Sequence, residues 1–290
     1  MNVTLENERL RIGVKSKGAE LLSVFNKQNQ LEYMWSGDPT FWGKTSPVLF
    51  PIVGMLKDDT FVYQDKKYQL SRHGFARDAE FDLLPSENNR LNFTLRSSTE
   101  SLLRYPFDFQ LTISYLLEEN FLKVLYTVEN KGKEKMYFSL GAHPAFNVPL
   151  ISDSTYNDHY LLFNKIETAP RWPISGGGLI ESDPVSFLNN SDTIKLDKAL
   201  FAQDAIVLKH LASDRVSLRC STHPYGFDFI FEGFPYLGIW AAKNADFVCI
   251  EPWCGIADSV NHTQDLVSKE GIEIVNPAES WSRMWKVQFY

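Results

Sequence analysis

Three short segments of this 290-residue chain combine proton-moving or hydrogen-bonding side chains with a pattern that places them where a strand ends. In Phe138-Ser139-Leu140-Gly141-Ala142-His143-Pro144-Ala145-Phe146-Asn147, strand alternation puts Phe138, Leu140 and Ala142 on one face and Ser139, Gly141 and His143 on the other. The small residues before His143 are expected to leave open volume in front of its ring, and Pro144 holds it extended and ends the pairing. Such an imidazole is a ligand-site candidate, or a cap on a sheet edge. In Phe247-Val248-Cys249-Ile250-Glu251, four apolar residues run into a glutamate, which implies a carboxylate near the sheet interior. A carboxylate there costs several kcal/mol unless it is paired or partly solvated. Glu251 is therefore half of a buried pair, a base in a cleft, or a surface group just past the strand, and Glu232 is a similar competitor. Ser71-Arg72-His73-Gly74-Phe75-Ala76-Arg77-Asp78 gathers an imidazole and two guanidinium groups around a Gly-Phe turn. These donors suit sugar hydroxyls, and they equally suit an exposed charged hairpin.

The elements that must position these residues are strands. Period-2 alternation runs through Leu10–Val14, Leu111–Tyr115 and Leu122–Val128, and strands are predicted again at Met136–Leu140, Phe227–Phe231, Leu237–Ala241, Phe247–Ile250, Ile272–Val275 and Met284–Phe289. The turns around Asn120 and Gly132 suggest that the three strands between Leu111 and Leu140 form a meander. No sustained 3.6-residue apolar period is found; the best helix candidate, Leu102–Phe107, contains Pro106. There is no repeat or linker, and Gly176-Gly177-Gly178 reads as a surface loop inside one domain. The expectation is an all-β fold, a large antiparallel β-sandwich, with residues 1–290 forming a single domain.

Composition narrows the function classes. A net charge of −7 argues against nucleic acid, which needs a basic footprint. No apolar stretch approaches the roughly 20 residues of a membrane helix, and the N-terminus lacks the pattern of a signal peptide. Cys220, Cys249 and Cys254 cannot all pair, and Cys249 with Cys254 is too little for a zinc site, so a reduced, cytoplasmic, metal-free protein is expected. Aromatic residues make up 14% of the chain, enough to furnish sugar platforms as well as core.

Taken in order, Phe50-Pro51-Ile52-Val53-Gly54, His73-Gly74-Phe75-Ala76-Arg77, Gly141-Ala142-His143-Pro144-Ala145-Phe146, Asp204-Ala205-Ile206 and Glu251-Pro252-Trp253 resemble the galactose mutarotase-like (aldose 1-epimerase) superfamily, in its LacX-like branch. The resemblance covers essentially the full chain. It implies an antiparallel supersandwich with a sugar in a concave cleft, and a cofactor-free isomerase interconverting the α and β anomers of a free hexose. It further implies Glu251 as general base, His143 as general acid, and His73, Arg77 and Asp204 as binders of sugar hydroxyls. Carboxylate and imidazolium are the expected charge states, provided that nearby carboxylates outweigh desolvation of the histidine. A bell-shaped pH profile then follows, falling at low pH as Glu251 protonates and at high pH as His143 loses its proton. Met55 stands where relatives, notably hexose-6-phosphate 1-epimerases, often carry an arginine, which argues against a phosphorylated substrate. Two alternatives stay open: a hexose-6-phosphate 1-epimerase, and a non-catalytic carbohydrate-binding or sensing protein on the same fold.

Overall fold

The structure, a computed structural model, describes residues 1–85 and 89–290. Two large sheets dominate it. The larger has nine strands in the order Val185–Lys195, His159–Arg171, Arg215–Cys220, Phe227–Ile230, Ser280–Phe289, Phe121–Asn130, Phe109–Glu118, Arg90–Arg96 and Asp82–Leu84. The second runs Ile206–Lys209, Tyr236–Trp240, Phe247–Cys254, Leu140–Ala142 and Val48–Leu49, with Ala145–Asn147 also paired to Phe247–Cys254. The ladders within both sheets are antiparallel. A four-stranded sheet from Asn2–Glu6 to Leu31–Glu32 forms the N-terminal part.

Alternation explains why the large sheets pack face to face. In Phe121–Asn130 every second residue is buried, so Leu122, Val124, Tyr126 and Val128 point inward. Across the interface Phe146 meets Phe227 at 4.3 Å between ring centroids, and Phe50 meets Phe109 at 5.0 Å. This is the expected antiparallel β-sandwich. Among the described residues, no helix is long and apolar enough to cross a membrane.

Three local expectations change. The meander does not form: Phe109–Glu118 and Phe121–Asn130 make a hairpin, but the next neighbour of Phe121–Asn130 is the C-terminal Ser280–Phe289. The Met136–Leu140 strand is broken, with Met136–Phe138 pairing Glu273–Val275 and Leu140–Ala142 joining the second sheet. At the break, the Ser139 backbone N–H donates to the Pro51 carbonyl, drawing the chain from one sheet to the other. A helix does form beside Pro106, at Thr99–Arg104. Ser98 and Ser101 close a reciprocal capping box at its start, and it ends before the proline.

Candidate active site

The second sheet carries the site on its outer face. Within Phe247–Cys254, Val248 and Ile250 belong to the main core, while Trp253 packs in a separate apolar cluster with Val53, Val207 and Ile180. Glu251 and Trp253 share a strand face by the period of two. Two glycines make room for the indole. A Cβ at Gly238 would meet Trp253 at 2.4 Å, and one at Gly141 would meet it at 2.6 Å. Gly141 therefore accommodates Trp253, correcting the expectation that it opens space before His143. Gly238 is also the cross-strand partner of Glu251, so the flat indole and the buried carboxyl are set by the same pair of strands.

Above this floor lies a cavity of about 390 Å³. His73, Arg77, His143, Asp204 and Glu251 all line it, as do Arg72, Trp42, Trp240 and Trp253. His143 Nε2 lies 3.3 Å from Glu251 Oε2, and the two residues are 8% and 2% exposed. The His143 ring stacks on Trp42 at 4.8 Å and meets Trp240 and His73 edge-on. His73 sits at φ 69°, in the left-handed region, followed by Gly74 at φ 70°. A Cβ at Gly74 would strike the Phe50 carbonyl at 2.3 Å, so this turn requires glycine. The turn aims His73 Nδ1 at the Gly54 N–H, which donates to it at 3.0 Å. Nδ1 is then the acceptor and Nε2 carries the hydrogen, leaving His73 a neutral donor. Arg77, on the short 3₁₀ segment Ala76–Asp78, has a buried Nε without a hydrogen-bond partner. Asp204 adopts φ 73° and accepts from the Ala205 N–H at 2.7 Å.

The electrostatics differ from the expectation. Burial pushes the Glu251 carboxyl well above its ordinary range; Arg72 and the Trp253 indole N–H, which faces the carboxyl without completing a well-formed hydrogen bond, oppose this only in part. Burial lowers His143 to about 3, with the charges of Arg72 and Arg77 adding to the effect. Burial thus favours an uncharged carboxylic acid beside an uncharged imidazole, not the predicted carboxylate and imidazolium. Desolvation wins because, among the described residues, no carboxylate other than Glu251 is paired with the ring. Both descriptions place one proton on the pair, so they are tautomers of a single titrating unit. Cys249 adds a third group, its sulfur, a His143 nitrogen and a Glu251 oxygen lying within 4.8 Å of one another. Burial drives this thiol up as well, so a metal there would have to displace protons from both sulfur and carboxyl.

The sequence profile of the aldose 1-epimerase family matches residues 1–280. The chain belongs to this family. It is similar to the chromosomal LacX protein of Lactococcus lactis subsp. lactis, with 34% identity covering 99% of both chains. Among solved structures, a galactose mutarotase related enzyme from Lactobacillus acidophilus superposes with a TM-score of 0.96 at 33% identity, covering 100% of this chain and 97% of that one. A galactose mutarotase-like protein from Lactobacillus casei ATCC 334 gives 0.94 at 31% identity over the whole of both chains. The five segments that carry the resemblance stand on one sandwich, and His73, Arg77, His143, Asp204 and Glu251 from four of them line one cavity.

Arg72 enters the sequence reading only as one of the two guanidinium groups of the His73 segment, and Trp42, Trp240 and Trp253 carry no role in it. Trp253 lies inside Glu251-Pro252-Trp253, where adjacency was the available signal. Trp42 comes from an irregular stretch without periodicity, and nothing in the linear pattern points to it. The triple-glycine loop borders the cavity because the chain beyond it is tied to the segment that follows the strand Phe247–Cys254, the Ile180 N–H donating to the Asp258 carbonyl. Gly178 faces Met55 there, and a Cβ at Gly178 would meet Met55 Cγ at 2.6 Å.

Proposed function

We propose that this member is an aldose 1-epimerase acting on a free hexose, with Glu251 and His143 as the acid–base pair. The observation that carries the reading is the 3.3 Å approach of two buried titratable groups at the floor of an aromatic-walled cavity. Anomer exchange requires one group empty to accept the C1 hydroxyl proton and one loaded to protonate the ring oxygen. A pair holding one proton meets that count. When a sugar binds, its hydroxyls and the Arg72 charge favour the carboxylate of Glu251, and the proton resides on His143. Glu251 then takes the C1 hydroxyl proton while His143 delivers its own to the ring oxygen; the C1–O5 bond breaks and C1 becomes an aldehyde. The pair is left as carboxylic acid and neutral imidazole, the state that burial prefers. Rotation about C1–C2 and the reverse proton flow close the other anomer. Each positioned group contributes roughly 10²–10⁴-fold.

His73 Nε2–H, Arg77 and Asp204 provide two donors and an acceptor for ring hydroxyls, and Trp42, Trp240 and Trp253 supply apolar faces for the sugar ring. A second reading, turnover of a hexose 6-phosphate, is favoured by Arg72. It lines both this cavity and an adjoining one beside Met55, and among the described residues no hydrogen bond engages its side chain. Polarimetry or NMR of freshly dissolved α-D-glucose, α-D-galactose and a hexose 6-phosphate separates the readings. The neutral sugars are expected to be turned over at least as well as the phosphate, and a clear preference for the phosphate would promote the second reading. Sugar binding without faster anomer exchange than in buffer would leave only a binding module.

A further inference from the structure

At one end of the nine-stranded sheet, away from the cavity-lining residues, we propose a transition-metal site formed by His159, Cys220 and His223 that takes Zn²⁺. His159 opens the strand His159–Arg171, and Cys220 closes Arg215–Cys220 as its direct cross-strand partner. Cys220-Ser221-Thr222-His223 then turns the chain so that His223 faces the same spot, its ring 5.4 Å from that of His159. One nitrogen of each imidazole and the Cys220 sulfur lie within 4.8 Å of one another. Two ligands come from a short Cys-x-x-His spacing and the third arrives across the sheet, so the linear pattern does not display the set.

The donor chemistry is specific. His159 is 1% exposed, and its Nδ1 lies 2.8 Å from the Thr155 carbonyl, which can only accept, so Nδ1 bears the hydrogen. Its Nε2 is then a bare lone pair, and this atom is buried without a partner. A ring hydrogen donated to a backbone carbonyl is the arrangement that orients histidines toward metals. On His223, Nε2 lies 3.3 Å from the Ser154 hydroxyl, and Nδ1 is buried without a hydrogen-bond partner. Two orphaned imidazole nitrogens beside a thiol bring desolvation with no return if the cluster is only packing. Two nitrogens and a sulfur suit borderline-soft Zn²⁺, with water in the fourth position. Binding forms the Zn–S bond and releases the Cys220 thiol proton to solvent. The ion would clamp the start of one strand to the end of its neighbour, independently of the anomer chemistry.

Co²⁺ titrated into untagged, reduced full-length protein tests this through its spectrum. One equivalent should bind with a thiolate-to-cobalt charge-transfer band, and Zn²⁺ should bleach it. Cys220→Ser should abolish the band and weaken Zn²⁺ binding by more than the roughly 10–100-fold that loss of an outer hydrogen-bond partner costs. His143→Asn should leave the band in place, since His143 belongs to the other cluster. Circular dichroism of metal-free Cys220→Ser should match the wild type, showing that the fold is intact. The proposal is overturned if wild-type protein shows no charge-transfer band, or if the band survives in Cys220→Ser and so belongs to Cys249 or Cys254.

Discussion

At the scale of single residues, the proposed mechanism rests on one proton shared between two buried groups. The active form of such a pair lies between gain of a second proton, set by the depressed His143, and loss of the only one, set by the raised Glu251. The limbs are therefore reversed relative to the expected bell. The low-pH fall belongs to His143, near 3, and the high-pH fall to Glu251, above the ordinary carboxylate range. The value of kcat/KM should therefore not fall as pH is lowered from neutrality to about 5; a steep fall between pH 7 and 6 would show His143 titrating as an ordinary imidazole. Glu251 also makes a stability statement. Its raised folded pKa contributes stability present below the unfolded value of 4.5 and lost as pH rises through the folded value. Gln keeps the uncharged shape without that loss, so Glu251→Gln should be more stable than the wild type at neutral pH. Thermal or urea unfolding measures this, and a destabilised variant would contradict the raised pKa. The identities of these residues were legible from their motifs, but their charge states were not, because desolvation depends on Trp42, Trp240 and the sheet beneath.

At the scale of elements, the strand pair Tyr236–Trp240 and Phe247–Cys254 holds Glu251 through glycine. Gly238→Ala should drive a methyl into Trp253, cost about 1–3 kcal/mol as overpacking and lower activity by displacing Glu251. Gly13→Ala is the control, since its Cβ would meet only Ser23 Cβ at an ordinary 3.6 Å. Equal effects of the two on activity would show that Trp253 does not set the site. The segment after Cys254 is fixed by a buried ion pair. Lys269 Nζ donates to Asp258 Oδ1 and to the Ile256 carbonyl, both at 2.6 Å, while Asp258 Oδ2 accepts from the Lys57 N–H. Lys269→Met leaves the Asp258 carboxylate buried without its ammonium partner, and should cost about 3–5 kcal/mol in urea unfolding. Strands with clean alternation, such as Phe121–Asn130, were legible in the sequence. Its hairpin partner Phe109–Glu118 was legible too, but its other neighbour was not, because the C-terminal Ser280–Phe289 reaches it by a long-range return that no local pattern encodes.

For the whole molecule, the buried neutral histidines link the fold to pH. His73 and His143 both have folded pKa values below the unfolded 6.5, chiefly through desolvation. Their contribution is fully present above pH 6.5 and is lost as pH falls, for His143 toward about 3, because the unfolded chain takes up protons that the folded one refuses. Each adds a slope of up to about 1.4 kcal/mol per pH unit. Urea midpoints should therefore decline below neutrality, and His143→Asn should flatten the decline. The sandwich was legible because alternation and turns recur along the whole chain. The cavity was less so, because its walls also come from loops such as the one carrying Gly178, which only the closed fold brings above the sheet. The most direct test of the central claim is the rate of mutarotation of freshly dissolved α-D-galactose or α-D-glucose, followed by polarimetry with wild-type protein and with Glu251→Gln. Wild-type protein should accelerate the approach to anomeric equilibrium, and Glu251→Gln should lose roughly 10²–10⁴-fold of that acceleration while binding sugar within a few-fold of wild type. Full activity in Glu251→Gln would contradict the account and place the base on another residue.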